Sequence, residues 1–404
     1  MKKIVYLHQT GEIGGAGLGL YYTAKMLKDK FDIVIYCPQY PSDMATFMEN
    51  KGFNVKTYSV SPGYFNYYSG GPKLLSRSFF LSLYQVFKSK KYWEEIFLSE
   101  KADLIIVNSM VLCWMQKIIK KSGAKSVCYV RETLPKDVIV VRNKLMKHFL
   151  NRFDGVLYIS EYDKKRIDVK RPVCEVIRDC VDISAFNTHK EQYSSKFEMN
   201  EKLKLLFVGG GDKIKGLDIA VKALSILKDF DIELTVAGYC NVVSVSGLSF
   251  FKKIITVRRN KYLNNIYKII NINNLNDKIK FIGIQKDMYN AYSDCDILLF
   301  PSTSPHQARP VFEAGYFGKP AIVSDYPQTR EHMIHEYNGL CFSPKNYIAL
   351  ANAIKQFYSD RHLINKYGEN NFKLATKKHD YNYISNVLSH TIDAIVNLNF
   401  RNDV

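Results

Sequence analysis

Residues 204–216 read Lys204-Leu205-Leu206-Phe207-Val208, then Gly209-Gly210-Gly211-Asp212-Lys213-Ile214-Lys215-Gly216, and the chain continues into Leu217–Leu227. The first stretch has the unbroken apolar run of a buried strand, and the second is a glycine loop. The third places Ile219, Ala220, Leu224 and Leu227 on one face at helical spacing. The start of the chain repeats the plan: Ile4-Val5-Tyr6-Leu7, a loop with Gly11, Gly14, Gly15, Gly17 and Gly19, then a 3.6-residue repeat through Tyr22, Met26 and Leu27. Strand, glycine loop and helix thus open each half of the molecule.

Further apolar runs extend both halves. Phe31–Tyr36, Leu104–Val107, Ser126–Val130 and Gly155–Ile159 belong to the first, and Glu233–Ala237, Ile279–Ile282, Ile297–Phe300, Pro320–Val323 and Leu340–Phe342 to the second. Strands that alternate with helical stretches predict α/β architecture, a doubly wound parallel sheet with helices on both faces, built twice. A chain of 404 residues suits two domains. The polar segment Asn187–Lys202 follows neither periodicity and is the expected linker.

Composition narrows the function classes. Apolar residues make up 47% and charged residues 24%, which excludes a disordered chain. The early apolar stretch Ile4–Leu7 is too short for a signal core, and Asn108 and Ser109 break the run Leu104–Met115, so a cytoplasmic protein with no membrane span is expected. The eight cysteines form no C-x-x-C pair and mostly sit in apolar runs, as buried thiols do. His332 and His335 lack a second ligand cluster, so no metal site is assigned. The excess of 57 Lys and Arg over 39 Asp and Glu favours anionic partners: phosphorylated ligands, an anionic membrane face or nucleic acid.

The first glycine loop does not match G-x-G-x-x-G, and Tyr36-Cys37-Pro38 stands where a ribose-binding acid would follow the second strand. It reads either as a plain tight turn or as a helix start open to an anion or a sugar. In the second half, the strand ending at Phe300-Pro301 leads through a polar loop to Arg309-Pro310, and Pro310 suits the first turn of a helix. That helix start is expected to turn unpaired N–H groups toward an anion, with the Arg309 fork beside it. Glu313 in the next turn reads as a ligand contact or as a surface carboxylate favoured by the helix dipole.

Taken jointly, these segments resemble a known family. Val208–Gly216, then F-I-G-I-Q-K-D-M-Y-N-A-Y-S-D-C-D-I-L-L-F-P-S from Phe281, R-P-V-F-E-A-G-Y-F-G-K-P-A-I-V-S-D from Arg309, and N-G-L-C-F ending at Phe342 resemble the retaining glycosyltransferases of family 4. In the first half, Gly14-Gly15-Ala16, Val107-Asn108-Ser109, Tyr129-Val130-Arg131-Glu132-Thr133, Tyr158-Ile159-Ser160 and Val176–Asp182 with Phe186 keep the family's order. The resemblance implies the GT-B fold, two Rossmann-like domains facing a cleft: an acceptor-binding domain over 1–187, a linker over 188–202, a nucleotide-sugar-binding domain over 203–380, and a C-terminal helix over 381–404 packing back toward the first domain.

The resemblance also implies roles. Glu313 matches the second Glu of the family's E-x7-E motif, which grips the nucleotide ribose; the first falls on Pro305, with His306 the nearest polar substitute. The loop Lys is kept as Lys215, whereas the Arg five positions before it is replaced by Gly210. Gly14, Gly15, Gly210, Lys215, His306, Arg309, Val311 and Glu313 are therefore expected on the donor side. Asn108, Arg131 and Glu132 are expected on the acceptor side, where Glu132 orients the acceptor hydroxyl with Arg131 as its partner or forms a loop salt bridge with it. Lys215, Arg309 and Glu132 are the expected catalytic residues.

The implied reaction moves a sugar from a nucleoside-diphosphate donor to a lipid-linked or polymeric glycan acceptor with retention, as in bacterial surface polysaccharide (capsule, O-antigen or exopolysaccharide) biosynthesis, and needs no metal or other cofactor. A catalytically weak binding protein of the same fold is the alternative. Two basic, aromatic segments, Tyr64–Lys91 and Leu248–Ile270, suit an anionic membrane surface or a solvated helix face. Single-stranded nucleic acid would also suit them, but no RNA-binding motif accompanies them, so none is expected as a partner.

Overall fold

The computed structural model describes residues 1–64, 76–134, 140–170, 172–181, 202–244, 250–285 and 287–398. Most of the expected linker, Asp182 and Phe186, and Phe65, Tyr67, Tyr68 and Lys73 of the first basic segment lie outside the described residues. Two compact units form, one from Met1–Cys180 with Tyr381–Val404 and one from Val181–Asp380.

The first unit runs β1 (Lys3–Leu7), α1 (Gly15–Leu27), β2 (Asp32–Pro38), α2 (Asp43–Asn50), β3 (Asn54–Tyr58), α3 (Arg77–Glu100), β4 (Leu104–Val107), α4 (Gln116–Lys121), β5 (Lys125–Val130), α5 (Val140–Leu150), β6 (Gly155–Tyr158), α6 (Glu161–Ile167) and β7 (Val173–Val176). The second continues with β8 (Leu203–Val208), α7 (Leu217–Ile226), β9 (Ile232–Ala237), α8 (Phe250–Ile272), β10 (Ile279–Gly283), α9 (Tyr289–Asp294), β11 (Ile297–Phe300), α10 (Arg309–Tyr316), β12 (Ala321–Ser324), β13 (Gly339–Phe342), α11 (Tyr347–Ser359) and α12 (His362–Lys378). Helix α13 (Tyr381–Val396) belongs to the first unit.

Both sheets are parallel. The first has the order β3-β2-β1-β4-β5-β6-β7 and the second β10-β9-β8-β11-β12-β13. The reversal of strand order falls between β1 and β4 in one sheet and between β8 and β11 in the other. Parallel strands buried on both faces need continuous apolar sequence, and all four residues of β4 and of β11 are buried.

Apolar clusters cover each sheet face. In the first unit, Trp93 and Phe97 of α3 pack with Val5, Val34 and Ile105 on one side. On the other, Ile384, Leu388, Ile392 and Ile395 of α13 pack with Leu20, Ala24 and Leu27 of α1. In the second unit, α7, α8 and α11 supply one face, and α9 and α10 the other through Tyr292, Val311 and Phe312. Side-chain caps fix several helix starts, including Ser76 on Phe79 N–H at 3.3 Å and Asn346 on Ala349 N–H at 3.0 Å. All eight cysteines are free thiols.

Candidate active site

In doubly wound sheets, ligands bind outside the carboxyl ends of the strands where the order reverses. In the second unit, the loops leaving β8 and β11 meet there. Thr303 N–H donates to the Ile214 carbonyl at 2.8 Å, and the Thr303 hydroxyl donates to the Lys213 carbonyl at 3.0 Å. Gly216 permits this approach: it has φ 80°, and a Cβ there would stand 1.9 Å from the Pro301 carbonyl oxygen.

The tied loops set Lys215 Nζ 3.0 Å from His306 Nε2, while His306 Nδ1 lies 3.0 Å from the Ser304 carbonyl. A carbonyl only accepts, so Nδ1 carries the ring proton and Nε2 accepts from the ammonium. Burial, reinforced by the Lys215 charge, pushes the His306 pKa down to about 3, so the ring is neutral. Burial also lowers the pKa of half-buried Lys215. Among the described residues no carboxylate forms a salt bridge with its ammonium.

Helix α10 starts three residues beyond His306. Arg309 Nε donates to Glu313 Oε1 at 2.6 Å, one turn along, and the buried Tyr292 hydroxyl donates to Glu313 Oε2 at 2.7 Å. The carboxylate is thereby oriented through both oxygens, and each keeps a lone pair for another donor. Stacking on Phe317, with ring centroids 5.4 Å apart, fixes Tyr292 in turn.

Two donor-side expectations change. The helix start offers fewer N–H groups than expected, since Pro310 has none and Val311 N–H already bonds the Ala308 carbonyl at 2.9 Å. Val311 is a packing residue: its side chain is fully buried and its carbonyl accepts from Asn371 Nδ2 at 3.2 Å. Gly210 has φ 59°, and a Cβ there would lie 2.7 Å from the Tyr239 backbone nitrogen. The backbone therefore requires glycine where the resembling family has Arg. Gly209 acts similarly, for the Lys215 side chain passes where its Cβ would be, 2.7 Å from Cγ.

In the first unit, polar residues gather at the carboxyl ends of β1, β4 and β5. Asn108 Nδ2 lies 3.0 Å from His8 Nδ1 and 3.2 Å from the Ala16 carbonyl, and Thr10 Oγ1 lies 3.0 Å from His8 Nε2. Burial, with the nearby Arg131 charge, lowers the His8 pKa to about 3. With the amide donating to Nδ1, the neutral ring carries its proton on Nε2, toward Thr10. Arg131 Nε donates to Asn108 Oδ1 at 2.7 Å, and its Nη1 pairs with Asp179 Oδ1 at 3.0 Å. The guanidinium also lies 3.9 Å from the Tyr129 ring centroid.

Arg131 therefore turns to Asn108 and Asp179, and the expected side-chain partnership with Glu132 is not formed. Glu132 accepts from the Ser109 hydroxyl, from Met110 N–H at 3.0 Å and from Arg131 N–H at 3.3 Å. Burial nonetheless raises its pKa. Gly14 and Gly15 start α1, which has no side-chain cap, and a Cβ at either position would meet nothing within 4 Å. The histidine pair noted in the sequence diverges: His332 Nδ1 lies 3.2 Å from His379 Nε2, whereas His335 Nδ1 accepts from Cys341 N–H at 3.0 Å.

His8, Asp179 and Tyr292 were not singled out from sequence. His8 had one local signal, its place immediately after the first strand; Asp179 and Tyr292 act on partners 48 and 21 residues away. In the second unit, Lys215 and Arg309 supply cations and Glu313 a carboxylate around the strand-order reversal, a set suited to a diphosphate and a vicinal diol.

Residues 189–374 match the family model of the glycosyl transferases group 1. No curated protein matches the sequence. Among solved structures, Anabaena HepE in complex with UDP-glucose is 19% identical, covering 98% of this chain and 100% of its own at a TM-score of 0.74. A glycosyltransferase from Rickettsia africae ESF-5 is 17% identical, with coverage of 98% and 100% and a TM-score of 0.74. S. aureus TarM, in complex with fondaparinux, alpha-GlcNAc-glycerol and UDP, is 13% identical, with coverage of 98% and 100% and a TM-score of 0.68. The chain thus has the GT-B glycosyltransferase fold, and its second unit carries the sequence pattern of the glycosyl transferases group 1.

Proposed function

We propose that the protein is a glycosyltransferase of group 1, family 4, which moves a hexose from a nucleoside-diphosphate sugar to a glycan or lipid-linked acceptor with retention of anomeric configuration. The observation that carries this reading is the Lys215 ammonium, half-buried with a neutral imidazole as its hydrogen-bond partner and without a salt bridge among the described residues. A diphosphate supplies the direct ion pair that Asp212, acting only through space, does not. Arg309 opens α10 three residues beyond His306, and Glu313 has the lone pairs to accept ribose hydroxyls.

The difficult step is departure of the nucleoside diphosphate as the sugar gains oxocarbenium character. Lys215 and Arg309 oppose the charge that grows on the leaving group, and the reading needs no metal. In the first unit, Glu132 receives the acceptor hydroxyl, and the buried Asn108–Arg131 pair serves as the support beneath it. The nucleotide-bound complexes of HepE and TarM support the donor class, and the glycan in the TarM complex supports the acceptor class. The proposed setting is bacterial surface polysaccharide synthesis at the cytoplasmic face of a membrane, with the protein peripheral; no described helix is long and apolar enough to cross one.

Pro305, which stands where the resembling family has its first carboxylate, favours a second reading, a donor-binding protein with weak turnover. Incubation with UDP-, GDP- and ADP-sugars and an oligosaccharide acceptor pool separates the two. Nucleotide release with a product of the donor's anomeric configuration in NMR supports the enzyme; binding without release supports the second reading.

A further inference from the structure

Helix α3 has one face too many. Phe79, Ser82, Val86, Ser89, Trp93, Phe97 and Glu100 recur at helical spacing and are buried, as a single core-facing stripe requires. The opposite face exposes Phe80 by 54%, Leu81 by 45%, Tyr84 by 62% and Phe87 by 77%. The three aromatics, at i, i+4 and i+7, line up along about two turns. Single exposed apolar side chains are normal, but a contiguous group on one helix marks an interaction surface.

Charge says which surface it meets. Arg77 stands one turn before the aromatics, and Lys88, Lys90 and Lys91 follow them, all exposed. Residues 77–93 contain no acid; beyond them Glu95 pairs with Lys91 at 3.9 Å, a long, solvent-exposed contact that leaves the ammonium accessible. Helix α8 differs. Its described outer face carries Lys253, Arg258 and Lys261 without an aromatic, and Arg259 is held by the protein, donating to the Tyr239 carbonyl at 2.8 Å. Cations at both ends of an aromatic stripe fit lipid phosphates above an acyl boundary.

The buried face of α3 pins a loop that lines a cavity. Ser82 Oγ accepts from Tyr64 N–H at 2.7 Å and donates to its carbonyl at 2.8 Å, and Ser89 Oγ donates to the Pro62 carbonyl at 3.1 Å. The loop thus pinned lines, through Ser59, Ser61 and Tyr64, a cavity of about 490 Å³ shared with Gln9, Glu12 and Tyr40.

We infer that Phe80, Leu81, Tyr84 and Phe87, flanked by Arg77, Lys88 and Lys91, dock the protein on an anionic lipid surface. A lipid-linked acceptor then presents its polar end to the cavity lined by the loop that the buried face of α3 pins; this consequence rests on the acceptor reading above, whereas docking stands without it.

Flotation of the full-length chain with phosphatidylcholine vesicles, with or without about a quarter phosphatidylglycerol, tests this. Binding is expected with the anionic vesicles alone and should weaken as salt is raised to about 0.5 M. The triple change Phe80→Ser, Tyr84→Ser, Phe87→Ser should reduce partitioning about tenfold or more, with folding checked by circular dichroism. If that variant is unfolded, Arg77→Gln with Lys88→Gln and Lys91→Gln gives the same reading through a reduced salt dependence. Neutralising Lys253, Arg258 and Lys261 of α8 should change binding little. Equal flotation with both vesicles, none with either, or unchanged binding of the aromatic variant overturns the inference. So does a drop from dimer to monomer in that variant without vesicle binding, which would make the face a contact between copies. Nucleotide release from a soluble donor should be unchanged in the aromatic variant, so docking and donor chemistry fail separately.

Discussion

Lys215 Nζ stands 3.0 Å from Nε2 of His306, and the imidazole that receives it is neutral. A neutral acceptor orients an ammonium without compensating its charge. The second unit therefore holds a positioned cation without a salt bridge among the described residues, Asp212 acting on it only through space, at the strand-order reversal where such sheets bind their ligands.

Replacing Lys215 with Met keeps the bulk of the side chain and removes the charge. Turnover of the cognate nucleotide sugar should fall about 10²–10³-fold, equivalent to about 2.7–4 kcal/mol of lost transition-state stabilisation. Steady-state assays of nucleotide release measure it, and near wild-type kcat would remove Lys215 from the chemistry.

His306 gives a pH dependence. Its pKa, about 3 in the folded chain against 6.5 for an ordinary histidine, means that the unfolded chain binds more protons in between. Its contribution to stability is complete above pH 6.5 and falls as pH drops toward 3, by at most roughly 1.4 kcal/mol per unit. His306→Asn should therefore lose less stability than the wild type between pH 7 and 4 in urea melts. Parallel losses would show a ring free to protonate.

Glu313 and Tyr292 form a separable pair. Glu313→Gln should weaken nucleoside-diphosphate binding about tenfold or more, because a hydrogen bond to a charged acceptor is lost at the ribose. Tyr292→Phe removes only the support at Oε2 and should lower stability by about 1 kcal/mol with a smaller effect on affinity. Calorimetric titration and thermal melts distinguish the two, and the reverse ranking would assign Glu313 to structure.

Gly210→Arg would restore the cation that the resembling family carries at this position. With φ 59° and the Tyr239 nitrogen 2.7 Å from the added Cβ, the change should destabilise the second unit by about 1–3 kcal/mol and should not raise turnover. A stable, faster variant would show that the loop relaxes to accept it.

The central strands were readable because burial on both faces demands an unbroken apolar run, as in Leu104–Val107 and Ile297–Phe300. β3, Asn54–Tyr58, and β7, Val173–Val176, were not. Both lie at sheet edges and bury only Tyr58 and Val176, respectively, so neither makes such a run. Lys215 and Glu313 stood out because they fall on positions of the resembling family's pattern, and Arg309 because it opens a helix. The orientation of those groups was hidden: whether Arg131 meets Glu132 beside it or Asp179, 48 residues on, depends on which strands become neighbours. Gly210 shows the same limit, since its substitution read as a lost cation, whereas its positive φ and the Tyr239 backbone 2.7 Å from where a Cβ would stand demand glycine.

Titration calorimetry of UDP, GDP and ADP into the wild type and Lys215→Met tests most directly whether the unmatched ammonium is a diphosphate site. At least one nucleotide should bind the wild type, and its affinity should fall about tenfold or more in Lys215→Met, with the heat of binding becoming less salt-sensitive. Binding of none of the three, or equal affinity in both proteins, would contradict the account.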